Sequence, residues 1–251
     1  MTTSTERKAL VRTEGIGRRY GGLQAVSDLS FEVYPEEILG LIGPNGAGKS
    51  TTFNLISGFV APTSGKLFID DRDVTGSSST KISRMGLIRT FQHGSLMKSL
   101  TVRDNIVIGA LGTYGFTQKK EVNERVLLAA RTLGLIEHLD EVSGNLPHGL
   151  QRLVSIAIAY AANPKILCLD EPLTGLNQTE ATHTLDLLRQ IRNEQGCAIL
   201  LVEHNMKAVM QLCERIVVLH HGQMLASGTP SEIRSNREVI TAYLGEKHAK
   251  S

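Results

Sequence analysis

The stretch "GPNGAGKST", Gly43 to Thr51, holds the residue types a phosphate group needs. Gly43, Gly48, Lys49 and Ser50 match the pattern G-x-x-x-x-G-K-[ST]. Glycines let successive backbone N–H groups curl around phosphate oxygens. Lys49 adds a positive charge suited to β- and γ-phosphates, and the Ser50 hydroxyl is a hard oxygen donor of the kind Mg²⁺ takes. Gly43, Pro44, Asn45, Gly46, Ala47, Gly48, Lys49, Ser50 and Thr51 are therefore the candidate nucleotide-binding residues of this loop. Downstream, "ILCLDEP" ends an apolar run with two carboxylates. Asp170 is suited to hold Mg²⁺ through water, and Glu171 to polarise an attacking water as general base. "CAILLVEHN" ends another apolar run at His204, and Gln92 follows "LIRTF". A lone His at a strand end is commonly structural and an isolated Gln commonly lies on the surface. In this order His204 becomes a candidate for the γ-phosphate and Gln92 a candidate ligand of Mg²⁺ and water. Tyr20, in "RRYGGLQAV", could stack on a purine base or pack in the core.

Strands and turns must position these groups. "ALVRTEG", "LSFEVY" and "EILGLIG" read as strands, with a turn at Pro35–Glu36. "KSTTFNLISG" has helical spacing and ends at Gly58. "KLFID" and "LIRTF" are short strands. Residues 101–111 and 121–133 read as helices, the second with Val122, Val126, Leu127, Ala130 and Leu133 on one face. The last third alternates: "KILCLD" strand, 178–194 helix, "CAILLVE" strand, 205–213 helix, "RIVVLH" strand. Continuous apolar strands between helices predict a parallel sheet covered on both faces. "TPSE" opens a final helix, with Thr229 as N-cap, Pro230 in the first turn and Glu232 closing a capping box. The expected organisation is an α/β domain over 10–245, interrupted by a helical insertion at about 93–160, with tails at 1–9 and 246–251.

Composition bounds the partners. Lys+Arg 27 against Asp+Glu 25 leaves +2, which argues against a dedicated nucleic-acid binder. Cys168, Cys197 and Cys213 are odd in number, lack C-x-x-C spacing and sit among apolar neighbours, so buried reduced thiols in a cytosolic protein are expected rather than a metal site. Met1–Ala9 is polar, and no run of about 18 apolar residues exists, so neither a signal peptide nor a membrane span is expected.

The order Tyr20, phosphate loop, Gln92, "LPHGLQ", Asp170–Glu171, His204 resembles the ATP-binding cassette family, over residues 10–245. Within it, "RTFQ", "TGLN", "LLVEHNMKAVM" and the tail "ASGTPSEIRSNREVITAYLGE" look most like ATP-binding subunits of branched-chain amino-acid uptake transporters. The resemblance implies a P-loop NTPase (RecA-like) core with a mixed or antiparallel β subdomain and an inserted α-helical subdomain. It implies ATP and Mg²⁺ as cofactors, a second cassette, permease subunits and, indirectly, a solute-binding protein as partners. It places the chain at the cytoplasmic face of a membrane, with residues after Gln92 receiving a coupling helix of the membrane subunit. It also makes Tyr20 an adenine contact, and Pro147, His148 and Gly149 contacts to the partner's ATP.

That last stretch departs from the family pattern. L-S-G-G-Q is usual; this chain has Leu146, Pro147, His148, Gly149 and Leu150. Pro147 lacks a hydroxyl and Leu150 an amide, so the stretch reads either as a weakened signature or as a plain helix N-terminus. Asn177 replaces a common Asp. The weakened signature leads to the expectation of a heterodimer with a second, intact cassette. A non-catalytic regulatory cassette and a soluble cassette ATPase acting on ribosomes or DNA are the alternatives.

Overall fold

The computed structural model describes residues 7–90 and 96–244. The chain divides into two compact units: Met1–Met85 with Cys213–Ser251, and Gly86–Leu212. The first opens with strands β1 (Val11–Tyr20), β2 (Leu23–Leu29), β3 (Glu32–Val33) and β4 (Ile38–Ile42), helix α1 (Lys49–Ile56), strands β5 (Ser64–Ile69) and β6 (Arg72–Asp73), and helix α2 (Ser79–Arg84). The second holds β7 (Leu87–Arg89), α3 (Val102–Tyr114), α4 (Lys119–Thr132), α5 (His148–Ala161), β8 (Ile166–Asp170), α6 (Gln178–Gln195), β9 (Ala198–Val202) and α7 (Met206–Leu212). The chain returns to the first unit with β10 (Arg215–His220), β11 (Gln223–Gly228), α8 (Pro230–Ser235) and α9 (Arg237–Leu244).

In the first unit an antiparallel sheet runs in the order β2-β1-β5-β6, and β3 also pairs with β1. Alternation in β1 turns Val11 and Thr13 inward and leaves Glu14 exposed. The expected single strand "LSFEVY" is instead divided. Leu29 closes β2, Asp28 stands at φ 49, and Phe31 exchanges hydrogen bonds with Thr13 before β3 begins. β4 is buried throughout and lies parallel to β10, which pairs antiparallel with β11. At their starts Arg215 Nε meets Glu37 Oε1 at 2.8 Å. The predicted capping box is present at α8: Thr229 Oγ1 accepts from Glu232 N, and Glu232 Oε2 accepts from Thr229 N.

In the second unit β9, β8 and β7 are parallel neighbours, and β8 and β9 are buried at every residue. This is what uninterrupted apolar runs predict. Helices α3, α4 and α5 pack on one another, the inserted helical stretch of the sequence. Asn105, fully buried, donates from its side chain to Met97 O, Thr101 O and Ser143 Oγ, which ties the start of α3 to the chain before α5. Asn177 caps α6 in a reciprocal box with Glu180. Asn suits position 177 because its side chain caps the helix as an Asp would.

The three cysteines are free and buried, and burial pushes the Cys168 and Cys197 thiols up to about 12, so both stay protonated and unreactive. No helix of the described residues is long and apolar enough to cross a membrane.

Candidate functional site

The phosphate loop joins the buried end of β4 to the first turn of α1. Glycine is required at two of its positions. A Cβ on Gly43 would stand 2.3 Å from Leu219 O, and one on Gly48, at φ 101, would stand 2.7 Å from Ala25 O. The loop is braced by Ala47 N donating to Pro44 O and Gly222 N donating to Ala47 O. Lys49 Nζ turns back over the loop and donates to Gly43 O at 2.6 Å and Pro44 O at 3.0 Å. Asn45, Gly46 and Ser50 are exposed. N–H groups at a helix start with a lysine beside them are an arrangement that favours anions.

Tyr20, the last residue of β1, is 41% exposed, with the Arg18 guanidinium 4.7 Å from its ring centroid. It is not a core residue.

In the second unit, β8 delivers Asp170 and Glu171 as its sequence implied. Asp170 is buried, and Arg89 Nη2, from the end of β7, meets its Oδ2 at 2.9 Å. Asp170 N also donates to Thr90 Oγ1. Glu171 sits at φ 49, a conformation costly for a residue with a side chain and one that recurs at functional sites. Its N–H donates to Val202 O at 2.9 Å, and its Oε2 accepts from Thr174 Oγ1 at 3.3 Å. His204, beyond β9, brings Nδ1 to 3.7 Å from Glu171 Oε1. The His204 side chain is 62% exposed and that of Glu171 24%. A carboxylate and an imidazole are thus held side by side at the ends of two paired strands, half open to solvent. Gln92 lies outside the described residues.

Pro147 is the N-cap of α5 at φ −53, ψ 151, and provides no side-chain hydrogen bond to the helix. Pro147 and His148 are exposed. Gly149 is buried against Glu180: a Cβ there would meet Glu180 Oε1 at 2.7 Å. The His148 ring lies close enough to Gly175 that a Cβ on Gly175 would stand 2.9 Å from His148 Cε1. Gln151 does not replace the missing amide at 150. Its Nε2 donates backward to Leu146 O at 2.8 Å.

Two charged residues escaped the sequence reading. Arg89 ends the strand β7, and Glu203 directly follows the apolar strand β9. Arg89 pairs with Asp170, and Glu203 is 1% exposed. A charge at the end of an apolar run was the available signal, because a buried charge persists only when it is paired or hydrogen-bonded.

Residues 26–174 match the family described as ABC transporter, and 223–249 match the branched-chain amino acid ATP-binding cassette transporter family. The chain is 42% identical over 250 residues to the high-affinity branched-chain amino acid transport ATP-binding protein LivG of Escherichia coli K12, covering 94% of this chain and 98% of that one. It is 37% identical over 252 residues to BraF of Pseudomonas aeruginosa, described in the same words, covering 95% and 99%. Among solved structures, the ADP conformation of MJ1267, an ATP-binding cassette of an ABC transporter, aligns with TM-score 0.87 at 28% identity, covering 95% of this chain and 99% of that one.

Proposed function

The chain belongs to the ABC transporter family, with its P-loop NTPase fold, as an ATP-binding and ATP-hydrolysing subunit, and on that premise we propose that it powers the import of branched-chain or related amino acids. The observation that carries the hydrolytic reading is the approach of His204 Nδ1 to Glu171 Oε1, 3.7 Å, with Glu171 held at φ 49. Resemblance to LivG and BraF supports the substrate class.

In this reading Gly43–Thr51 hold the phosphates, Lys49 supplies charge to them, and Tyr20 stacks on adenine. Glu171 takes the proton of the attacking water, and His204 steadies the γ-phosphate. Mg²⁺ fits the groups available: the Ser50 hydroxyl, the Asp170 carboxylate and the amide of Gln92 are all oxygen donors. When bound, the ion neutralises charge on the phosphate oxygens. Arg89 holds the Asp170 carboxylate in place.

Permease subunits anchor the chain to the cytoplasmic face of the membrane, and a solute-binding protein delivers the amino acid to them. A second cassette completes the pair. Each cassette presents its signature helix to the other's ATP, and here Pro147, His148 and Gly149 make that contact. Pro147 cannot donate a side-chain hydrogen bond, and losing one bond to a charged group costs about 1.5–3 kcal/mol. A homodimer would lose it at both sites and a heterodimer with an intact partner at one, so a heterodimer is the favoured assembly. A non-catalytic cassette is disfavoured by the intact Glu171 and His204.

The test is uptake into vesicles holding the chain, its second cassette and the permeases, with ATP on the cassette side and labelled leucine presented with the binding protein. ATP-dependent accumulation of leucine, competed by isoleucine and valine, is expected. ATP hydrolysis without uptake of any of the three would refute the substrate class.

A further inference from the structure

Glu203 follows β9 directly and is 1% exposed. A buried carboxylate is tolerated only when its oxygens are satisfied. Its Oε1 accepts from Leu173 N at 2.8 Å, and its Oε2 accepts from His204 N at 3.2 Å and Asn205 N at 3.5 Å. These donors belong to two separate turns. Leu173 lies two residues beyond Glu171, in the turn where Thr174 N donates to Glu171 O and Leu176 N to Leu173 O. His204 and Asn205 lead into α7, and Asn205 Oδ1 accepts from Ala208 N in its first turn.

The β8–β9 ladder ends with Asp170 opposite Val202 and the bond from Glu171 N to Val202 O. Beyond that point no strand pairing holds the two turns together. Glu203 spans the gap with one oxygen on each turn. Burial pushes its carboxyl above the ordinary glutamate value, and the backbone N–H donors pull it the other way.

We infer that Glu203 is a positioning residue for hydrolysis: its carboxylate clamps the turn carrying Glu171 to the turn carrying His204, and so sets the approach of those two side chains. The inference rests on the reading of Glu171 and His204 as hydrolytic groups. An oxygen facing each turn is essential to it. Glutamine keeps one acceptor but turns an NH₂ toward the other turn, so either Leu173 N or the His204–Asn205 pair faces a donor instead of an acceptor. Aspartate keeps both acceptors on a shorter stem.

The experiment measures ATPase activity of the assembled transporter, with Kd for trinitrophenyl-ATP and Tm measured on the full chain. Glu203→Gln is expected to lower kcat about tenfold, equivalent to about 1.4 kcal/mol, while KM and the nucleotide Kd stay within about twofold. Glu203→Asp should recover part of the lost kcat. Where the Gln variant has a depressed Tm, the Asp variant carries the same comparison. In a His204→Ala background the cost of Glu203→Gln should fall below about threefold, since residues acting as a unit are not additive. An unchanged kcat in Glu203→Gln, or an equal loss in both backgrounds, overturns the clamp. A silent His204→Ala, or a wild type without ATPase activity, overturns both the clamp and the reading beneath it. That pattern differs from failure of the clamp alone, in which His204→Ala is impaired and Glu203→Gln is not.

Discussion

Glu171→Gln is expected to bind ATP as the wild type does and to hydrolyse it about 10²- to 10⁴-fold more slowly, the range that a positioned general base contributes. The substitution preserves size and an acceptor oxygen, so the hydrogen bond from Thr174 Oγ1 can persist. The backbone bond from Glu171 N to Val202 O is untouched, and the φ of 49 is no harder for Gln than for Glu. What disappears is the negative charge that faces His204 at 3.7 Å and, in the proposed reading, takes a proton from water. ATP binding by equilibrium titration and phosphate release in the steady state separate the two effects. Turnover near the wild-type rate would mean that another group positions the water.

Lys49→Ala is expected to weaken MgATP binding about 10- to 150-fold, from the roughly 1.5–3 kcal/mol carried by a hydrogen bond to a charged group. The ammonium lies over the loop, on the carbonyl oxygens of Gly43 and Pro44. Removing it takes away a positive charge and also uncovers those two acceptors beside an incoming anion. Both effects act in the same direction. The fold should survive, because Lys49 is only half-buried and the loop's bracing by Gly222 N and Pro44 O is backbone to backbone. ATP titration of the variant, with Tm as a control, checks this; an unchanged Kd would remove the loop from nucleotide binding.

The sequence displayed most of the second unit's framework because its signals were strong. β8 and β9 are apolar at every position before their terminal polar groups, and α6 begins at a capping residue with a reciprocal box. Weak elements were missed for identifiable reasons. β2 mixes Gln24, Ser27 and Asp28 into its alternation after two glycines, and α2 is six residues long with Ile82 its one buried residue. Within the site, Asp170, Glu171 and His204 were legible because each ends an apolar run. Their supports were not. Arg89 and Asp170 are 81 positions apart, and the ion pair exists only because β7 and β8 lie parallel in register, Arg89 opposite Cys168. Glu203 reaches Leu173 across 30 positions in the same way. Sequence likewise could not say that the Gln151 amide folds back onto Leu146 O and so does not stand in for the amide absent at Leu150.

The central claim is that transport turnover is driven by ATP cleaved at this chain's own Glu171. The direct measurement is ATPase activity of the complete transporter, with Glu171→Gln introduced here and, separately, the matching glutamate replaced in the second cassette. The degenerate stretch Pro147–His148–Gly149–Leu150 faces the partner's ATP in this account, while this chain's ATP meets the partner's intact signature. Glu171→Gln should therefore arrest turnover, and the partner's substitution should leave a substantial fraction of it. Arrest by the partner's substitution, with Glu171→Gln leaving turnover intact, would contradict the claim.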